Sequence, residues 1–179
     1  MTVIDPSGQR LPTAADEARF WDLVEDAWAR IGPEGRRARQ AVAERDPEAG
    51  EVDLGIIDEL LQVFLDNLTL ATQNFSAEEL TDLDRVVERR LYEIDRADIQ
   101  AVTDGSDDGF LYARGFIVAL GRDYYAAVAR NPRLAVLDAE CEEMCYFFAT
   151  LYHERYDRFP DTGSGISRES TNNPAGWPN

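Results

Sequence analysis

Residues 106–122 bring together two adjacent carboxylates, Asp107 and Asp108, and two guanidiniums, Arg114 and Arg122. Adjacent carboxylates are hard oxygen donors suited to a divalent cation, and Asp104 stands near enough in sequence to be a third ligand. The spaced oxygen ligands of an EF-hand are missing, so a calcium loop is excluded. A plainer role also fits. Ser106 is a good N-cap, and Asp107 and Asp108 fall in the first helical turn, facing the positive end of the helix dipole. Arg114 adjoins an apolar stripe of Phe110, Ala113, Ile117 and Leu120. A guanidinium there needs a carboxylate partner, because a buried unpaired charge is costly. Asp107 lies two turns earlier, about 10.5 Å along a helix axis, which predicts an Arg114–Asp107 lock. Anion binding by Arg114, joined by Arg122, is the alternative.

Other reactive side chains are sparse. His153, the single histidine, has Asp157 four residues on, a spacing that can orient an imidazole as a base. Cys141 and Cys145 are also four apart, a poor geometry for a disulfide, and no second pair completes a zinc site. Both lie on an apolar stripe, which predicts core thiols. There is no P-loop, dinucleotide fingerprint, nucleophile elbow or HExxH. The expectation is no catalytic residue, no bound metal and no cofactor.

The charge is extreme. Thirty-five Asp and Glu stand against 18 Lys and Arg, for a net charge of −17, and lysine is absent. Such a surface opposes nucleic acid and anionic membranes, and favours a protein with a basic surface. The N-terminus shows neither a basic nor an apolar signal region, and the most apolar run, residues 54–70, carries Asp58, Glu59 and Asp66. Both point to a cytoplasmic chain that does not enter a membrane.

The elements that must position these residues read as helices. Residues 1–13 form a polar arm. Thr13 caps a first helix whose stripe is Phe20, Trp21, Val24, Trp28 and Ile31, and Gly32-Pro33 stops it. Residues 34–52 are a solvated helix or loop with one basic cluster, Arg36-Arg37-Ala38-Arg39. A second main helix, Asp53–Gln73, is apolar nearly all round and belongs in the middle of a bundle. Ser76 and Glu79 make a capping box for a third, whose face of Asp82, Asp84, Arg85, Glu88, Arg89 and Arg90 reads as solvated. A short piece near 98–102 precedes a fourth helix from Ser106 to Gly121, with Gly115 allowing close helix approach. A fifth spans 122–130, and a sixth 134–158. Residues 159–179 are rich in Gly, Ser, Thr, Asn and Pro and read as a flexible tail, with Trp177 out of character. The class is all-α: a single helical domain, residues 14–158, of five to seven helices.

In Phe20-Trp21, Ser106 to Phe110, Tyr112, Arg114, Gly121-Arg122, Tyr125 and Pro132, the chain resembles a bacterial family, the domain of unknown function numbered 4240. Glu142 to Tyr146 and Tyr152 are similar to its last helix, so the resemblance covers roughly residues 16–158. Gly105 stands where that family commonly has cysteine, Ala113 and Phe116 where it has Phe and Trp, and Tyr92 to Arg96 where it is tryptophan-rich. The resemblance implies an all-α fold and supplies no activity.

The functional expectation is therefore a non-enzymatic, immunity- or adaptor-like domain that binds a protein. The alternative is a small-anion or metal-binding protein using Asp107, Asp108, Arg114 and Arg122. A third reading, a DNA mimic, rests on the acid-rich stretch 76–108.

Overall fold

In the computed structural model, which describes residues 3–48, 54–103 and 106–177, eight α-helices pack around one apolar core. A two-residue antiparallel ladder, β1 (Val3–Ile4) with β2 (Arg10–Leu11), precedes them. The expected helix start at Asp53 and the candidate ligand Asp104, like Gly105, lie outside the described residues.

Helix α1 (Ala14–Ala29) begins at a reciprocal cap: the Asp16 amide donates to Thr13 Oγ1 at 3.1 Å and the Thr13 amide to Asp16 Oδ2 at 2.9 Å. Its inward stripe is Phe20, Trp21, Val24, Ala27 and Trp28. Helix α2 (Pro33–Ala43) carries the basic cluster, of which Arg39 turns inward. Its guanidinium grips Glu25 with two 2.8 Å bonds and donates to Leu120 O at 2.9 Å.

Helix α3 (Gly55–Thr72) buries Ile57, Leu61, Phe64, Leu65 and Leu68 against α1 and α2. It is not the central helix. Ile56, Val63 and Leu70 remain exposed, so its apolar circumference overstated its burial. Helix α4 (Ala77–Glu93) starts at the Ser76–Glu79 box, and α5 (Ala97–Gln100) is a single turn.

The surrounded helix is α6 (Asp107–Ala119), buried without interruption from Gly109 to Arg114 except at Tyr112, and again from Gly115 to Gly121. It packs on α4, α7 (Arg122–Arg130) and α8 (Glu142–Tyr156). Gly121, at φ 98°, turns the chain between α6 and α7, a conformation that costs glycine little. Gly115 fits where a Cβ would meet the Cys141 carbonyl and lie 2.6 Å from Cys145 Sγ. The anticipated close approach is thus between α6 and α8.

The sixth predicted helix begins later than its apolar spacing suggests. Pro132–Leu134 form one 3-10 turn, and α8 starts only at Glu142. Between them Asp138 takes φ 57°, and the Cys141 amide donates to Tyr112 O at 3.0 Å, which no helix through 134–141 allows. Leu137, one helical turn before Cys141 in sequence, is 59% exposed.

The tail departs furthest from expectation. Residues 159–177 form neither helix nor strand, yet they lie on the bundle and bury Thr162, Ser164, Ser170 and Asn173.

Candidate functional site

The 106–122 motif does not close into one site. Asp107 and Asp108 are exposed in the first turn of α6, beneath a Ser106 side chain that accepts the Gly109 amide at 3.1 Å. Arg122 is exposed at the start of α7, beyond the Gly121 turn that follows α6. Arg114, midway, has no exposed surface at all.

Arg114 does not pair with the Asp107 carboxylate. Its guanidinium lies over the Phe110 ring, 4.8 Å from the centroid, and donates to Leu91 O at 3.0 Å, Arg168 O at 2.9 Å and Ser170 Oγ at 3.2 Å. Asp107 enters this network only through its backbone carbonyl, which accepts from Ser170 Oγ at 2.7 Å. Burial pulls the Arg114 pKa down, and the opposing charge that acts on it most is Asp95. The predicted lock therefore has different members: the counter-charge is on the loop after α4, and the hydrogen-bond partners are two carbonyls and the Ser170 hydroxyl.

Two further carboxylates share this buried network with Asp95. Asp84 and Glu88 sit on the α4 face that the sequence marks as solvated, yet they are only 1% and 9% exposed. The tail reaches both of them, and α8 packs along the same helix, with its Ala149 backbone against Asp84. Arg168 Nη2 lies 2.5 Å from Asp84 Oδ2 and 3.3 Å from Glu88 Oε1, and its Nη1 donates to the Cys145 carbonyl. Ser164 Oγ adds a 2.6 Å bond to Glu88. Arg85 pairs with Asp82 and donates to Thr162 O, rather than to Glu88. Burial pushes the Asp84 carboxyl above its ordinary value, and Arg168 opposes that shift.

Asp95 is fully buried and accepts four N–H groups, from Thr171, Asn172, Asn173 and Trp177 Nε1, at 2.7–3.0 Å. The Trp177 ring stands edge-on to Phe110, 6.1 Å between centroids. This accounts for the aromatic that looked out of place in a polar tail. Asp84, Glu88, Asp95, Ser170 and Arg168 escape a reading by composition. The usable signals were Trp177 and the fact that Arg168 is the sole cation after residue 158.

Cys141 and Cys145 are free and buried, and burial pushes both thiols up to about 12. A thiol of that pKa is a poor nucleophile and a poor metal ligand at neutral pH. His153 stacks flat on Phe159, 4.5 Å between ring centroids, while the Asp157 amide closes the helix onto the His153 carbonyl. Among the described residues no group of three His, Cys, Asp or Glu side chains is arranged to hold a metal ion, and no helix is long and apolar enough to cross a membrane.

Arg122 lines a groove of about 530 Å³ between α1 and α7, with Trp21, Arg90, Tyr125 and Arg130. Arg90 is committed to Glu17 and Glu93. Arg122 and Arg130 make no ion pair with any described residue.

These features define an all-α bundle with a charged interior seam covered by its own C-terminal segment, and with no catalytic set assembled among the described residues. The chain belongs to the family described as Protein of unknown function (DUF4240), which matches it over residues 58–154. Neither the curated proteins nor the solved structures contain a match.

Proposed function

We propose that this chain works by binding another protein, one with a basic surface, and performs no chemistry of its own. The observation that carries the reading is how the charge is distributed. Arg39, Arg85, Arg114 and Arg168 are turned inward onto carbonyls and carboxylates. The N-terminal ends of α6 and α8 carry exposed Asp107, Asp108, Glu142 and Glu143, none of them in an ion pair with a described residue. Tyr112 and Tyr146 lie among them, and desolvation, then Glu142 for Tyr112 and Glu169 for Tyr146, pushes both phenols up. A carboxylate field around two aromatics attracts guanidinium- and ammonium-bearing surfaces and repels phosphate backbones. The two free thiols suit a reducing, cytoplasmic setting.

The test is capture of the tagged chain from its native cells at low and high ionic strength. A stoichiometric basic partner is expected, lost as salt rises and lost with the Asp107→Asn, Asp108→Asn, Glu142→Gln, Glu143→Gln variant. Recovery of no stoichiometric partner at either salt overturns the reading.

Small-anion binding is the second reading, favoured by the unpaired Arg122 and Arg130 flanking the α1–α7 groove. Saturable phosphate or carboxylate binding that disappears in Arg122→Ala supports it. Silence of both proteins in calorimetry removes it.

A further inference from the structure

The bundle holds residues 162–177 the way a receptor holds an extended peptide. Side chains of the bundle grip the segment by its backbone. Arg85 Nε donates to Thr162 O at 2.6 Å, Arg114 Nη2 to Arg168 O at 2.9 Å, and Asp95 takes three successive amides. The Ala97 amide donates to Gly176 O at 2.9 Å. Two side chains fill sockets. Arg168 enters one made by Asp84, Glu88 and the Tyr146 ring, 5.5 Å from its guanidinium carbon. Trp177 enters the other, made by Phe110 and Asp95. Backbone grips supply affinity and sockets supply specificity in peptide recognition.

Two further observations separate the groove from its occupant. Asp84, Arg85, Glu88, Asp95, Phe110, Arg114 and Tyr146 all lie inside the region that matches the family, 58–154, and the segment they hold lies outside it. The connection between the two is exposed at Asp157, Arg158, Phe159 and Asp161, so the segment can leave without unravelling α8.

We propose that the seam between α4, α6 and α8 is a recognition groove for an extended, arginine-bearing segment of a partner protein, and that the C-terminal tail is its resident ligand in cis. The inference rests on the protein-binding reading and names the partner's chemistry: an arginine for the Asp84–Glu88 socket and an aromatic nine residues further on. The groove fits a cationic guest because its walls carry three carboxylates and Arg114, whose charge is already neutralised in part by Asp95. When the tail lifts, these groups meet water, which solvates them, so the open form does not strand bare buried charges. The exposed acids at Asp107, Asp108 and Glu142 adjoin the groove, since Ser170 bonds the Asp107 carbonyl and Tyr146 lines the arginine socket. They steer a basic partner toward it. The tether keeps the tail at an effective concentration in the millimolar range, so a partner must supply more contacts or meet a loosened tail.

The probe is a fluorescein-labelled synthetic peptide of residues 162–177, added to the full chain and to its Arg168→Ala variant. Arg168→Ala is expected to bind the peptide at least about tenfold more tightly than the wild type, because its own tail competes less. Adding Asp84→Asn and Glu88→Gln to that variant is expected to abolish binding, as is replacing arginine by alanine in the peptide. A folded Arg168→Ala variant that takes up no peptide overturns the proposal. So does exchange of tails between two copies as a dimer, which assigns the groove to a second copy. Hydrogen exchange on the wild type decides independently of any variant's fold. The Thr171, Asn172, Asn173 and Gly176 amides are expected to exchange through an opening that leaves α4, α6 and α8 protected. Exchange of these amides only together with α4 overturns the proposal. Neutralising Asp107, Asp108, Glu142 and Glu143 leaves the groove's own contacts intact, so failure of the acidic face and failure of the groove read out separately.

Discussion

Arg168 in the C-terminal segment and Asp84 on α4 form the most deeply buried ion pair among the described residues, with side chains 10% and 2% exposed and 2.5 Å between Nη2 and Oδ2. Asp84 is 1% exposed, so its carboxylate lies where solvent does not reach. While the tail covers it, an anion there is tolerable only with its cation present. The tail is therefore part of what makes the sequence of α4 acceptable, and α4 cannot be understood from its own periodicity.

Arg168→Met is expected to destabilise the fold by about 3 kcal/mol near neutral pH, the usual scale for removing one partner of a buried pair. The loss is pH-dependent with a definite sign. Burial already raises the folded-state pKa of Asp84 above 3.8, and removing Arg168 takes away the charge opposing that rise. A raised carboxyl binds more protons folded than unfolded, so stability declines as pH climbs from about 3.8 through the folded value. The variant's deficit against wild type should shrink on acidification. Urea midpoints of both proteins near pH 7 and pH 5 measure it, and a deficit that grows on acidification contradicts the assignment.

Arg114→Met and Asp107→Asn separate the observed network from the lock that sequence spacing suggests. Arg114→Met strands the Leu91 and Arg168 carbonyls and should cost about 3 kcal/mol, given roughly 1.5–3 kcal/mol per bond to a charged donor. Asp107→Asn touches an exposed side chain that Arg114 does not use and should stay within about 0.5 kcal/mol. Equal losses in thermal melts would restore the lock.

Local signals were legible where local chemistry decides. The Thr13 start, the Ser76–Glu79 box and the 122–130 helix all appear where residue types demand them. The all-α class follows from the same periodicities. What could not be read was long-range. Gly, Ser, Thr, Asn and Pro in the tail say that it forms no helix, but not that Asp95 and Arg114 will bind its backbone. The charged face of α4 reads as solvated until Arg168 is brought against it. Of the four candidate site residues, Arg114 is buried, Asp107 and Asp108 are exposed in the first turn of α6 after the Ser106 cap, and Arg122 lines the groove between α1 and α7. Spacing along one helix places residues on a face. It does not say which neighbouring segment covers that face.

Gly115→Ala is expected to destabilise despite improving helix propensity. Alanine gains about 1 kcal/mol over glycine in a helix interior. Here its Cβ would fall against the Cys141 backbone carbonyl and 2.6 Å from Cys145 Sγ. Backbone cannot yield as a side-chain tip does, and overpacking of this kind costs about 1–3 kcal/mol or more. The net loss should be about 1–2 kcal/mol by denaturant midpoint, and Cys145→Ala in the same chain should recover only part of it, because the carbonyl stays. Full recovery would locate the clash at the sulfur alone.

Glu79 gives α4 a second pH dependence, of opposite sign to that of Asp84. The Ser76 amide donates to Glu79 Oε2 at 2.8 Å, and Arg19 lies 2.5 Å from Oε1. First the Ser76 amide and then Arg19 hold this carboxyl down at about 2, against 4.5 unperturbed. A depressed folded-state pKa means that the unfolded chain takes up the proton first as pH falls. The contribution of Glu79 is thus complete above pH 4.5 and is lost between there and about 2. Its size is modest, below about 1 kcal/mol, because the side chain is 36% exposed and water screens the Arg19 pair. Glu79→Ala should lower the melting temperature by a few degrees near pH 6, and the two proteins should converge as pH approaches 2.5. A gap that persists undiminished into acid would show that Glu79 supports α4 through packing and not through its charge.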